Sequence, residues 1–416
     1  MIDWLRDIPD PRHKKNLKHE LAEVLVCTIM GFINGKTRLR RIIRWSKSHI
    51  NELRKYMPFP NGIPSLSTFS RTLNMVDEEL LSITITNWIG EIINTRGGHI
   101  AIDGKGLRAA ARKISNQRTP YIVNALDVAT KLVVGQLAIP EKTNEMTAIP
   151  ELISMLELEN SLVTIDAIGA TENIMNTIHE NKADFLIQVK GNCPELYREI
   201  VSLFSGLEVD KNDDKERFNE KYGEIYSEEN KKEKNRERYE YRKYQVYNKA
   251  EGIEGICEIR PYIKSVGIAE QTRILIVKDA DGNDITPELD EFLEKGSVKQ
   301  PKPVSGDKMG DDIQKAGLIA SRTMTAKEMM ESKRSHWAVE NNLHYVLDES
   351  FGEDKCTIRK GRNTVSALRK MAYNIIRLIQ LLYPERSPHV PDIIDDINDD
   401  FNMGARMIFE PILSLY

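Results

Sequence analysis

The sequence predicts a mixed α/β fold: a helical N-terminal region, then an α/β core that a β-rich insertion splits in two. Three observations carry this. Apolar residues recur at three- and four-residue spacings through residues 1–95. Short apolar runs bounded by turn residues alternate with amphipathic stretches through residues 98–190. Helical periodicity returns near residue 326, beyond a long charged segment. A 3.6-residue period marks helices with one buried face, and short apolar runs between turn signals mark buried strands. A chain of 416 residues is long enough for two or three domains.

In the first region Leu21, Val24, Leu25, Thr28, Ile29 and Phe32 line one face of a helix. A second helix is expected from Arg38 to about Tyr56, with Trp45 and Leu53 on its buried stripe. Its other face carries Arg38, Arg40, Arg41, Arg44 and Lys47. The segment FPNGIP is a turn, and Ser65 or Ser67 can cap the short helix after it. That helix presents Thr68, Ser70 and Arg71 outward. A hydroxyl-rich helix after a tight turn, behind a basic helix, resembles a helix-turn-helix reader of DNA.

From residue 98 strands are expected at Ile100–Asp103, Tyr121–Leu126 and Leu132–Ile139. A helix at about Met146–Leu156, a strand at Leu162–Asp166, a helix at about Thr171–Asn181 and a strand at Phe185–Val189 follow. The order strand, strand, strand, helix, strand, helix, strand is that of a ribonuclease-H-like core. In such a core the first and fourth strands are neighbours, and Asp103 and Asp166 stand at their C-terminal ends. The insertion, residues 193–325, is expected to be mostly β with charged loops. It holds the tyrosine-rich charged run around residues 231–247, a strand at Arg273–Asp279, and a loop from Lys295 to Asp312. A helix from Ala326 through Glu340 to about Asp348, and another at about Asn363–Leu382, complete the core. The resulting division is 1–95, 96–192, 193–325, 326–383, and an acidic, loosely held tail at 384–416.

Asp103, Asp166 and Glu340 have the chemistry of a metal cage. Carboxylates are hard oxygen ligands suited to Mg2+ or Mn2+, and two such ions can activate a nucleophile and stabilise a leaving oxygen at a phosphodiester. His336, Glu340, His344 and Asp348 recur every four residues, a spacing that also suits transition metals. A straight helix spreads them over about 12 Å, too far for one ion to hold all of them. Glu340 is therefore favoured as ligand, with Asp348 its rival. His336 and His344 are expected to contact phosphate or orient water. Lys105 and Arg108 flank Asp103 and Lys190 closes the fifth strand, each a candidate phosphate contact and equally a solvated strand-end cation.

The net charge is −4, yet residues 1–56 hold thirteen Lys/Arg against six Asp/Glu, and the tail from Pro384 holds seven acids against two arginines. One surface is thus suited to a polyanion. The start of the chain is charged and has no signal-peptide core, and no apolar stretch is long enough to span a membrane. A cytoplasmic protein is expected. Cys27, Cys193, Cys257 and Cys356 have no metal-binding or redox spacing and are expected to be reduced thiols.

The motifs IAIDGKGLR, EKTNEMTAIPELI, VTIDAIGA, VKGNCPEL and RSHWAVENNLHYVLDESFGEDK occur in this order, behind DPRHKKNLKHELAEVLVCTIMGFINGKT and PFPNGIPSLSTFSRTL. Together they resemble the DDE transposases of bacterial insertion sequences, the ISAs-type group that includes the H-repeat-associated proteins. The resemblance runs from about Asp10 to Leu382. It implies a ribonuclease-H-like catalytic core with a β-rich insertion before the glutamate, and metal-dependent nicking and strand transfer at the ends of the element. It places the acidic triad at Asp103, Asp166 and Glu340, with two divalent ions, double-stranded DNA as partner and a homodimer on that DNA. A domesticated DNA-binding remnant and a standalone nuclease of the same fold are the alternatives. Leu66-Ser67 stand where the group commonly has His-Asp, Ala170-Thr171 where it has Cys-Gln, and Tyr345 where it has Trp. Of the broader Tyr-Arg-Glu-Lys signature, mapped to Lys333, His336, Glu340 and Leu347, the glutamate alone is kept.

Overall fold

A computed structural model of the chain describes residues 1–107, 121–139, 144–249, 262–284 and 314–412, apart from positions 14, 16, 192, 277, 278, 280, 282, 357, 359 and 360. Arg108, Cys257 and the loop expected at Lys295–Asp312 lie outside the described residues. The described chain is a mixed α/β fold in two compact units. One comprises residues 1–164, 176–183 and 335–416, the other residues 165–175 and 184–334.

The chain opens with α1 (Ile2–Asp7), α2 (Leu21–Ile33), α3 (Leu39–Ser48), α4 (Ile50–Leu53), α5 (Leu66–Leu73) and α6 (Glu78–Gly90). A capping box between Glu20 and Glu23 starts α2, and every residue of that helix is buried. Gly31 lets α3 approach closely: a Cβ there would lie 2.7 Å from Ile42 Cγ1. The single helix expected from Arg38 to Tyr56 is two helices with a break at His49. Ser48 Oγ and the His49 ring both reach the Trp45 carbonyl, at 2.8 and 2.9 Å. Such side-chain bonds compete with continuation of the helix. Trp45 and Leu53 are buried as the spacing predicts, while Arg38, Arg40, Arg41, Arg44 and Lys47 are exposed.

Next come β1 (His99–Gly106), β2 (Tyr121–Asp127), β3 (Val133–Ile139), α7 (Glu145–Ser154) and β4 (Leu162–Ile165). The strand order is β3-β2-β1-β4, so β1 and β4 are neighbours, as the element order predicts. β1, β2 and β3 pair antiparallel, with Asp103 opposite Asn124 and Asn124 opposite Gln136. Directly opposed residues project on the same face. Three polar side chains thus form a row across otherwise apolar strands.

After Asp166 and a 3-10 turn (Ala167–Gly169), α8 (Glu172–Glu180) leads to β5 (Asp184–Val189). The expected β-rich insertion in fact begins with two helices, α9 (Pro194–Asp213) and α10 (Lys215–Tyr222). Pro194 suits the first turn of α9, and Leu196, Ile200, Phe204 and Leu207 form its buried stripe among many charges. Then follow β6 (Tyr226–Asn235), β7 (Arg238–Tyr247), β8 (Ser265–Leu275) and β9 (Gln314–Ala320), in the order β5-β9-β8-β7-β6. β8 starts well before the expected Arg273. The charged β6–β7 hairpin is held by cross-strand pairs: Arg242 bonds Glu233 at 2.6 Å, and Lys232 Nζ lies 4.6 Å from the centre of the Tyr239 ring.

The chain continues through α11 (Ala326–His336), a π-helical segment (Val339–His344), α12 (Tyr345–Glu349) and α13 (Arg362–Leu382). It closes with α14 (Val390–Asp399) and α15 (Phe401–Phe409). The tail expected to be loosely held is therefore two packed helices. Val390, Ile393, Ile394 and Ile397 give α14 an apolar face despite its acids. A Cβ on Gly404 of α15 would sit 2.8 Å from Ile33 Cδ1 of α2.

α13 is bonded to the start of β3. Asn374 accepts from Val133 N at 2.9 Å and donates to Val133 O at 2.8 Å, and its side chain is fully buried. Asn374→Ala leaves a buried backbone donor and acceptor unpaired. It is expected to cost about 2–4 kcal/mol, read as a lower urea midpoint with unchanged slope.

Candidate active site

Asp103 was expected to end its strand. It lies inside β1, which runs on to Gly106 because β2 keeps pairing as far as Tyr121. Gly104 admits the Tyr121 ring, which a Cβ would meet at 2.2 Å. The strand therefore holds Asp103 from both sides, with its side chain about 30% exposed.

The straight helix expected through Glu340 is interrupted. Residues Val339–His344 form a π-helix, whose wider turn changes which side chains align. The expected four-residue stripe is divided accordingly. His336 is buried and its Nδ1 meets Thr164 Oγ1 at 3.1 Å, a hydroxyl that also meets His99 Nε2 at 2.9 Å. His344 Nδ1 lies 3.0 Å from Glu340 Oε2 and 3.7 Å from Asp103 Oδ2. Asp103, Glu340 and His344 each place a ligand atom within 4.8 Å of the other two, so this group could hold a metal ion. Glu340 is largely exposed and His344 buried.

Asp348, the rival to Glu340, has a different partner. Lys105 Nζ donates to Asp348 Oδ1 at 2.6 Å and to the His344 carbonyl at 3.0 Å, and stands 3.3 Å from Glu353 Oε2. Lys105 is buried. The expected phosphate contact is instead an internal bolt that ties β1 to the π-helix and α12. Burial pushes the Asp348 carboxyl above its ordinary range, although Lys105 pulls the other way.

Glu353 is fully buried. Burial alone would raise its pKa, but Lys370, Lys105 and Arg369, with a hydrogen bond from Ser366, hold it down to about 2. Burial and the neighbouring Lys105 and Arg369 charges lower Lys370 to about 8, against the pull of Glu353. One carboxylate thus compensates several buried cations beneath the site.

Asp166 directly follows β4 and opens the 3-10 turn. Its side chain is 56% exposed, and Lys333 Nζ donates to its Oδ1 at 3.1 Å. Lys190 follows β5 and is exposed. In α5 the Ser65 cap accepts from Thr68 N, Arg71 is exposed, and Thr68 and Ser70 are half-buried. No described helix is long and apolar enough to cross a membrane. Cys27 and Cys356 are free thiols, Cys193 Sγ donates to the Ala170 carbonyl at 3.4 Å, and burial pushes Cys27 up to about 12.

Residues 94–375 match the family model described as "Transposase DDE domain", and residues 2–89 match "DDE_Tnp_1-associated". The chain belongs to the DDE transposase family. It is 30% identical over 390 residues to "Putative transposase YncI" of Escherichia coli O157:H7, covering 91% of this chain and 87% of that protein. It is 29% identical over 387 residues to "H repeat-associated putative transposase YhhI" of Escherichia coli K12, covering 90% of each. A solved structure, "Cryo-EM structure of piggyBac transposase synaptic complex with hairpin DNA", aligns with a TM-score of 0.41 at 11% identity, over 99% of this chain and 80% of that one. At that level it carries no inference about fold or chemistry.

Sequence reasoning passed over Asn124, Glu353 and Lys370 of this transposase. Lys370 and Glu353 were detectable in principle, as a lysine on the apolar face of α13 and an acid in the FGEDK segment. Asn124 had a fainter signal, one amide in the apolar run YIVNALD.

Proposed function

We propose that this chain cuts DNA strands at the ends of its own insertion sequence and joins them to target DNA, with Asp103, Asp166 and Glu340 as its acidic set. The observation that supports it most is the meeting of Asp103 and Glu340, from distant parts of the sequence, in one cluster of potential ligand atoms. Asp166 joins the set through the family motif VTIDAIGA. On this reading the core is ribonuclease-H-like.

The donor chemistry fits a hard divalent cation, because both acids offer carboxylate oxygens. Mg2+ or Mn2+, two ions in the family pattern, would supply an activated nucleophile and charge neutralisation at the phosphate. The protein's own contribution is placement. β1 fixes Asp103 between two paired neighbours, Lys105 locks the π-helix onto β1, and His344 holds the Glu340 carboxylate. The exposed sides of Asp103 and Glu340 leave room for a phosphodiester.

Arg38, Arg40, Arg41, Arg44 and Lys47 on α3, with Thr68, Ser70 and Arg71 on α5, are proposed to contact duplex DNA, and Lys190 a phosphate. Two ends must be brought together, which calls for a homodimer on DNA, in the cytoplasm where the bacterial chromosome lies.

The test is incubation of the full chain with linear DNA carrying the ends of its element. Nicks at the ends are expected with Mg2+ and none with EDTA. Binding without nicking would overturn the enzymatic reading in favour of a DNA-binding remnant. Nicking indifferent to the end sequence would point to a nuclease.

A further inference from the structure

We propose that β6 is a self-complementary edge strand, through which this chain pairs with a second copy of itself about a two-fold axis at Asn230. The pairing goes beyond the functional reading above and needs none of its chemistry. It supplies a surface for the homodimer, and it forms without DNA.

β6 ends the sheet order, so among the described residues one row of its backbone N–H and C=O groups has no strand beside it. A ten-residue edge of this kind is a template for another strand. Lysines on an edge ordinarily deter such pairing. Here the order of charges selects one partner. The strand reads Tyr-Ser-Glu-Glu-Asn-Lys-Lys-Glu-Lys-Asn, with two glutamates just before Asn230 and two lysines just after it. Antiparallel pairing with a second copy, centred on Asn230, sets Glu229 opposite Lys231, Glu228 opposite Lys232 and Tyr226 opposite Lys234, each twice. Directly opposed residues share a face, so their side chains meet. Asn230 meets Asn230, and Ser227 meets Glu233, which Arg242 and Arg334 already hold. No like charges are opposed.

The same charges specify the register. Sliding the copy by two residues brings Lys231 against Lys231 in one direction and Glu229 against Glu229 in the other. A slide of one residue keeps half of the Glu–Lys pairs and sets unlike faces of the two sheets side by side. The side chains are available for pairing. Asn230, Lys231 and Lys232 are exposed. Lys231 lies 2.9 Å from Glu233 of its own chain and is still 43% exposed, with room for a second acid. Glu229 is half-buried and, among the described residues, has no ion-pair partner. Glu228 is already bonded to Lys211 at 2.8 Å, so Glu229 and Lys231 are the pair to exchange in a test.

The experiment is analytical ultracentrifugation of the full chain at low salt without DNA. Wild type is expected to dimerise at micromolar concentration. Lys231→Glu sets Glu against Glu229, and Glu229→Lys sets Lys against Lys231, so each variant alone should associate about tenfold more weakly or worse. An equal mixture of the two variants should recover wild-type association, because the pairs are remade between unlike chains. A monomeric wild type, variants that dimerise as wild type does, or a mixture that does not recover would overturn the proposal. Asn230→Cys decides the register even if a charge variant fails to fold. Its Cα atoms would stand about 4.5–5.5 Å apart across the axis, within reach of a disulfide. Mild oxidation should therefore link it to its own copy. Lys234→Cys should stay unlinked, because its copy lies about 27 Å away at roughly 3.4 Å per residue. No bridge at position 230, or an equal bridge at position 234, would overturn the pairing. Because no DNA is present, failure here is distinct from failure to cleave element ends.

Discussion

Glu340→Gln is expected to lower cleavage of element ends by about 10³-fold, equivalent to about 4 kcal/mol of transition-state stabilisation. The change keeps the side chain's shape and a carbonyl oxygen that can accept from His344, but removes the charge needed to hold a hard cation. Glu340 is largely exposed, so folding should be unaffected. Asp348→Asn gives the opposite pattern. Its carboxylate pairs with buried Lys105 at 2.6 Å, so the fold should lose about 1–3 kcal/mol while cleavage per folded molecule stays within about tenfold of wild type. The measurement is single-turnover cleavage beside a thermal melt for each variant. A folded Asp348→Asn that no longer cleaves, with an active Glu340→Gln, would reverse the assignment.

Loss of Glu353 should be the most damaging change to the fold. Glu353→Ala leaves Lys370, Lys105 and Arg369 buried without their common anion and is expected to cost about 3–5 kcal/mol. Acid does the same thing gradually. The ordinary carboxyl value is 4.5 and the folded value about 2, so the unfolded chain takes up this proton first as pH falls. The stabilisation is complete above about pH 5 and is lost as pH falls towards 2. The gap corresponds to about 3 kcal/mol. Calorimetric melts between pH 7 and 3 should show the wild-type melting temperature dropping more steeply than that of Glu353→Gln, which has no charge to lose. The other carboxylates titrate in both proteins and cancel. Parallel curves would show that this carboxylate is not the anchor.

Much of the fold was legible because its signals are local. The stripe from Leu21 to Phe32, the strands of the core and the long helix α13 follow from the period of their apolar residues, which depends on near neighbours in sequence. The missed pieces had their period masked. The charged half of α9 from Glu208 onward hid the stripe of Leu196, Ile200, Phe204 and Leu207 before it, and the aspartates of residues 392–400 made a packed helix look like a loose tail. The break at His49 turns on two side chains competing for one carbonyl, which no periodicity reports.

The sequence by itself determined the family, the order of elements, and Asp103, Asp166 and Glu340 as the acids to consider. Each of these resides in short motifs. Only the tertiary structure decided the fates of the four polar residues that share a four-residue spacing. His336 goes to Thr164, Asp348 to Lys105, and Glu340 and His344 turn to Asp103. The reason is that a π-helical turn and a buried lysine settle where side chains point, and both are consequences of packing. Lys105 shows the difference most plainly. Beside an aspartate in sequence it reads as a phosphate contact, but its ammonium group is committed to Asp348, Glu353 and a backbone carbonyl that lie more than two hundred residues along the chain.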